Sequence, residues 1–147
     1  MKNPPPGWPR ISTAIYYEDP ARAINWLVSA FGFEVRLKIE GEDGRIEHSE
    51  LTFHGGLIMV GDAEKATLKN GAARAAPKSL GGANTQQMCI HLDDVDAHCA
   101  RARSAGAKIT REPVTTDYGA EYWADRSYEA EDPEGHRWYF MQRMSPA

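Results

Sequence analysis

Cysteine is nearly absent from this chain, and what it has is not arranged for chemistry. Cys89 and Cys99 follow no metal-ligand or redox spacing, so a disulfide framework and a zinc ribbon are both excluded and two reduced thiols are expected. No run of basic residues exists, and the formal net charge is −4. That balance gives nucleic acid or an anionic membrane surface no electrostatic footprint. No apolar run is long enough to cross a bilayer. The opening Met1-Lys2-Asn3-Pro4-Pro5-Pro6 lacks the apolar core of a signal peptide. A cytoplasmic protein with neither nucleic acid nor membrane as partner is the expectation. At 147 residues the chain suffices for one domain with a real core.

What is present is alternation, punctuated by turns. Residues 1–10 are Pro-rich and read as an extended arm, with Trp8 its anchor on the body or on a second subunit. Ile11–Tyr17 alternates, with Ile11, Thr13, Ile15 and Tyr17 on one face and Ser12, Ala14 and Tyr16 on the other. Asp19 then caps a helix with Pro20 in its first turn. Ile24, Leu27, Val28 and Phe31 form its apolar stripe, and Gly32 ends it. That stripe needs a sheet, and the Ile11/Thr13/Ile15 face is its expected partner. Trp26 sits beside the stripe as a packing residue.

Val35–Glu40 alternates again. Gly41-Glu42-Asp43-Gly44 makes a hairpin turn, followed by strands over Ile46–Phe53 and Leu57–Val60. The first module therefore reads strand, helix, three strands. Residues 62–85 show no strand pattern and read as a linker with a short helical turn near 63–69.

From Thr85 the plan repeats. Met88, Ile90 and Leu92 share one face, and Gln87, Cys89 and His91 the other. Asp94 caps a helix to about Ala105, with Gly106 as its stop. At an offset of 75, Ser12 meets Gln87, Tyr16 meets His91 and Asp19 meets Asp94. A strand is expected near Lys108–Thr110. An aromatic loop, Asp117-Tyr118-Gly119-Ala120-Glu121-Tyr122-Trp123, precedes a strand at Arg126–Glu131. Asp132-Pro133-Glu134-Gly135 is a tight turn. It launches a last strand with Trp138 and Phe140 on one face and Arg137, Tyr139 and Met141 on the other.

These features together resemble the vicinal oxygen chelate superfamily of glyoxalases, bleomycin-resistance proteins and extradiol dioxygenases. The matching stretches are Tyr17-Glu18-Asp19-Pro20 with Ala30-Phe31-Gly32-Phe33, Leu92-Asp93-Asp94-Val95-Asp96-Ala97 with Ala105-Gly106-Ala107, and Asp132-Pro133-Glu134-Gly135-His136. The resemblance implies an α+β fold of two βαβββ modules, here 10–62 and 86–143 joined by a linker at 63–85. Their sheets would form a cup with helices outside, in a homodimer. It also implies metal ligands at Ser12, at Met59 or Val60, at Gln87 and at Tyr139. None is His, Asp or Glu, the ligands a catalytic divalent ion requires. The expectation is therefore no metal and no cofactor.

Strand alternation places Ser12, Ala14, Tyr16, His48, Glu50, Gln87, Cys89, His91, Arg137, Tyr139 and Met141 on the cup-facing side. With Met59, Trp123 and Arg126 they supply the expected lining for a small-molecule ligand. Trp123 belongs to an aromatic lid, and Arg126 is placed to pair an anionic group or, with the loop, to pack at a joint. His48, Glu50 and His91 are the candidates for acid–base work or a displaced metal. Cys89 is read as a packing cysteine, and His54, His98 and His136 as solvated histidines. The leading functional expectation is sequestration of a small molecule, for example an aromatic or antibiotic-like one. The alternative is a glyoxalase-like lyase or isomerase. A third reading, an interaction protein with a collapsed interior, predicts no cavity above about 300 Å³.

Overall fold

The structure is a computed structural model that describes residues 1–145. The chain divides into two compact units, the first running from Met1 to Ala76 and the second beginning at Pro77. Each is α+β and each has the same plan.

In the first unit, β1 (Thr13–Tyr17) leads to α1 (Pro20–Phe31), then β2 (Glu34–Glu40), β3 (Ile46–Phe53) and β4 (Gly56–Asp62). The sheet order is β1-β4-β3-β2, with β1 parallel to β4 and the other pairs antiparallel. The parallel closure follows from the helix crossover between β1 and the hairpin strands. Asp19 caps α1 by accepting the Arg22 N–H at 3.0 Å, and Gly32 ends it at a positive φ of 81°. Ile24, Leu27 and Phe31 are all but inaccessible to water. Each such side chain contributes about 1.5–3 kcal/mol of burial. They pack with Ile15, Tyr17, Leu51 and Val60, which are equally buried. Trp26 packs edge-on against Phe31 at 4.9 Å.

One expectation for this unit changes. β1 begins at Thr13, and Ile11 is 88% exposed. The Pro-rich arm ends before the first ladder pair at Thr13↔Ile58, so Ile11 lies outside the core face. Within the 62–85 stretch the helical turn expected near 63–69 is present and is a full helix. Asp62 accepts the Lys65 N–H and opens a helix, α2 (Ala63–Asn70), which Gly71 closes. A single 3-10 turn follows at Pro77–Leu80.

In the second unit, β5 (Met88–His91) leads to α3 (Val95–Ser104), β6 (Lys108–Asp117), β7 (Ala124–Glu131) and β8 (Arg137–Ser145). The order β5-β8-β7-β6 repeats the first sheet, again with the first strand parallel to the last. Asp94 caps α3 through the Ala97 N–H. Trp138, Phe140 and Tyr128 are buried together, with Tyr128 stacked on Phe140 at 5.0 Å. The strand expected at Lys108–Thr110 runs on to Asp117. Pro113 lacks an N–H and reads as a stop. β6 is an edge strand, and a register shift between Arg111 and Val114 absorbs the proline.

The turn before β8 is held by one carboxylate. Asp132 Oδ1 accepts the N–H groups of Glu134 and His136, each at 3.0 Å, and Oδ2 accepts the indole Nε1–H of Trp138 at 3.1 Å. Gly135 takes a φ of 90°, where a Cβ would stand 3.1 Å from Cβ of Pro77. His136 is buried in this turn and His98 is half-buried, its Nδ1 2.7 Å from the Tyr128 hydroxyl. Both correct the expectation of solvated rings; His54 is exposed as expected.

Candidate functional site

Register decides which side chains share the face that α1 leaves uncovered. Ala14 pairs with Met59 and Tyr16 with Gly61 across β1 and β4. Val60 pairs with Ile15, and both lie in the core. Of the two candidates for the fourth-strand position, Met59 is therefore the one on the uncovered face. On the hairpin, Glu50 pairs with Leu37 and His48 with Ile39. Bulges in β2 turn Leu37 and Ile39 onto this face, where they are 39% and 47% exposed.

Glu50 is the buried centre of this face. Arg36 Nη1 donates to Oε2 at 3.0 Å, and His48 Nε2 lies 3.0 Å from Oε1. Arg36 also donates to the Pro6 carbonyl and lies over the Trp8 ring at 5.9 Å, which docks the N-terminal arm on β2. A buried carboxylate needs such partners to stay charged.

Beside His48 lies a cavity of about 570 Å³. Its sheet wall includes Ala14, Tyr16, His48, Met59 and Gly61. The other wall is α2, through Lys65, Ala66, Leu68 and Lys69. The Tyr16 ring packs closely against Gly61, where a Cβ would meet two ring carbons at 3.0 Å. A volume of this size overturns the collapsed-interior reading and falls in the range of organic-ligand pockets.

Ion pairs fix α2 in place. Arg45 grips the buried Asp62 carboxylate with Nε and Nη2, each at 2.7 Å, and also reaches Glu64. Lys65 bonds Asp43 at 3.0 Å and Glu47 as well. Asp43 is held below the usual carboxylate range, first by the Arg45 backbone N–H and then by Lys65.

The second unit builds a related face. One row across the sheet is Cys89, Tyr139, Glu129 and Arg111, and the next carries His91, Met141 and Ser127. Arg111 Nε donates to Glu129 at 3.2 Å and Nη2 to Ser127 Oγ at 3.0 Å, with the guanidinium 5.4 Å over Tyr139. Tyr139 donates to Ser127 Oγ at 3.0 Å. Arg36 and Arg111, on the corresponding strands β2 and β6, each sit at a bulge and pair a glutamate.

Several predicted residues fall elsewhere. Arg126 is on the helix side of its sheet, with Nε and Nη2 each 2.7 Å from Asp96 on α3. It does not share the face of Tyr139, because alternation along β7 puts Ser127 and Glu129 there instead. Trp123 lies under Arg143 at 4.6 Å, and Arg143 in turn bonds Asp125. The charge of the nearby Tyr139 phenolate, with desolvation adding to it, pushes the Tyr118 hydroxyl up. Cys89 is exposed, not packed, because β5 is an edge strand whose outer face carries it. Burial pushes the Cys99 thiol up. Ser12 precedes β1, and Gln87 and His91 are exposed.

The metal centre implied by the resemblance does not fit the residues present. The Met59 thioether is cavity wall, the Tyr139 phenol serves Ser127, and the set holds no imidazole or carboxylate. Among the described residues, no three His, Cys, Asp or Glu side chains come together.

Lys65, Leu68, Lys69 and the two bulge arginines were not foreseen as site residues. The Asp62 cap and Gly71 stop were the available signal for α2. Bulges leave no such mark in alternation.

The model of the Glyoxalase/Bleomycin resistance protein/Dioxygenase superfamily matches residues 11–140. An uncharacterised Mycobacterium tuberculosis protein is 34% identical over 136 residues, covering 91% of this chain and 74% of its own. TioX from Micromonospora superposes with a TM-score of 0.70 at 32% identity, covering 92% of this chain and 99% of its own. TnmS3, an antibiotic binding protein from Streptomyces, shares the fold with a TM-score of 0.62 at 20% identity, covering 90% of this chain and 93% of its own.

Proposed function

The chain belongs to the Glyoxalase/Bleomycin resistance protein/Dioxygenase superfamily, and we propose that within it this protein binds a small organic molecule without a metal. The observation that carries the reading is the cavity of about 570 Å³ between the first sheet and α2. Its walls are apolar at Ala14, Met59 and Leu68, with a few placed polar groups at His48 and Lys65, which is how organic-ligand pockets are lined. Binding needs affinity and no transition-state chemistry, so the absence of His and carboxylate from the four family ligand positions is no handicap. That TnmS3 is an antibiotic binding protein adds support for an antibiotic-like ligand.

The test is a thermal-shift screen against a set of apolar aromatic compounds that includes antibiotics. A true ligand at a hundred times its Kd stabilises the folded chain by about 2.7 kcal/mol. Ala14→Trp, which fills the sheet wall, removes that shift. If no compound raises the midpoint, or if the shift survives Ala14→Trp, the pocket reading is wrong. A second reading, a glyoxalase-like lyase or isomerase, draws on the His48–Glu50 contact at 3.0 Å. It requires turnover that Glu50→Gln abolishes.

A further inference from the structure

We propose that His48 selects ligands carrying a weakly acidic hydroxyl, a phenol or enol, and holds them as the oxyanion. This rests on the cavity being a ligand site, and it names the chemistry the site takes.

Glu50 is only 7% exposed and is held by Arg36. Its carboxylate is charged and accepts, so His48 presents Nε2 as the N–H donor at 3.0 Å. The bond made by one ring nitrogen sets the state of the other. Nδ1 of neutral His48 therefore carries the lone pair. Among the described residues none bonds Nδ1, while the ring forms part of the cavity wall. An apolar ligand meets here an acceptor that asks for a donor.

A weakly acidic O–H meets that demand best. On binding, the hydroxyl proton moves from the ligand oxygen to Nδ1. The products are a ligand oxyanion and an imidazolium, whose Nε2–H remains on Glu50. The carboxylate is oriented to stabilise that cation, as Arg36 is to keep the carboxylate charged. The other charged groups of the cavity are Glu47, Asp62, Lys65 and Lys69. Asp62 is held by Arg45, and Lys65 pairs with Glu47. Lys69 adds a cation to the α2 wall of the same cavity. An ether or a ketone of the same shape offers Nδ1 only a second lone pair, while displacing the water that this half-exposed ring can otherwise bond.

The experiment compares 4-nitrophenol with 4-nitroanisole, its methyl ether, on the full chain. Affinity is read by calorimetry and ionisation by the yellow phenolate band. The wild type is expected to prefer the phenol by about fivefold or more, the factor of one acceptor left without a donor once the ligand displaces water from the half-exposed ring. Under conditions where the free probe is mostly neutral, the bound probe shows the phenolate band. In His48→Gln, folded by circular dichroism, both the preference and the band are lost. Glu50→Gln weakens the band and the preference together, since it removes the charge that steadies the imidazolium. Equal binding of phenol and ether by the wild type overturns the inference and leaves the pocket standing. So does a preference that persists in His48→Gln. Binding of neither probe overturns the inference together with the pocket reading.

Discussion

Replacing Asp132 tests whether one carboxylate organises the final turn. Its Oδ1 holds the backbone N–H groups of Glu134 and His136, and its Oδ2 holds the Trp138 indole. Asp132 is 4% exposed and Trp138 is wholly buried. Asp132→Ala strands three donors out of reach of bulk water. Bonds to a charged acceptor contribute about 1.5–3 kcal/mol each, and such contributions do not add fully, so the expected loss is about 3–5 kcal/mol. Asp132→Asn keeps one oxygen for the two backbone donors but turns an amide N–H₂ toward the indole N–H. That variant is expected to lose about 1–3 kcal/mol, between wild type and Ala. Urea unfolding followed by tryptophan fluorescence reads both, the buried Trp138 being one of the four tryptophans that report the transition. Midpoints should fall in the order wild type, Asn, Ala, with little change in slope. An Ala variant within about 1 kcal/mol of wild type would refute the claim that this turn is carboxylate-centred.

Three further outcomes are expected. Of the two thiols, Cys89 should alkylate quickly in the native protein and Cys99 only on unfolding, since Cys99 is 3% exposed and its thiol is pushed up by burial; mass mapping after a short iodoacetamide pulse decides it. Arg45→Met removes the grip on the buried Asp62 cap, so hydrogen exchange should show α2 amides losing about tenfold or more in protection while β3 and β4 hold theirs; uniform protection would refute the role of this pair in fixing α2. The homodimer remains a proposal, for which the exposed Leu37 and Ile39 on the edge strand β2 supply a covering face; light scattering should find a dimer in the wild type and a monomer in the Leu37→Lys/Ile39→Lys variant, and a monomeric wild type would sink the idea.

Local rules were strong enough to place most of the fold from sequence. Alternation marked β1, β3 and β8, caps at Asp19 and Asp94 with stops at Gly32 and Gly106 bracketed the two long helices, and the offset of 75 revealed the repeated plan. Those signals are legible because side-chain period and cap chemistry are properties of a few neighbouring residues. The same parity put Tyr16, His48 and Glu50 on one face and left Met59 or Val60 open by a single residue; only the ladder partner Ala14 resolved that choice.

What sequence alone did not determine lies where contacts are long-range. β6 passes through Pro113 because its outer edge needs no hydrogen bond there, a fact of sheet order and not of composition. Arg126 points to Asp96, thirty residues away on a helix, and so leaves the predicted pocket. His136 is buried because the turn folds over it. Above all, the joining of Arg36, Glu50 and His48 needed a bulge in one strand and pairing with the next. The sequence determined the modules, their order and the candidate faces. The tertiary structure decided which of those side chains meet, because hydrogen-bond partners and cavities depend on register and on strand position in the sheet.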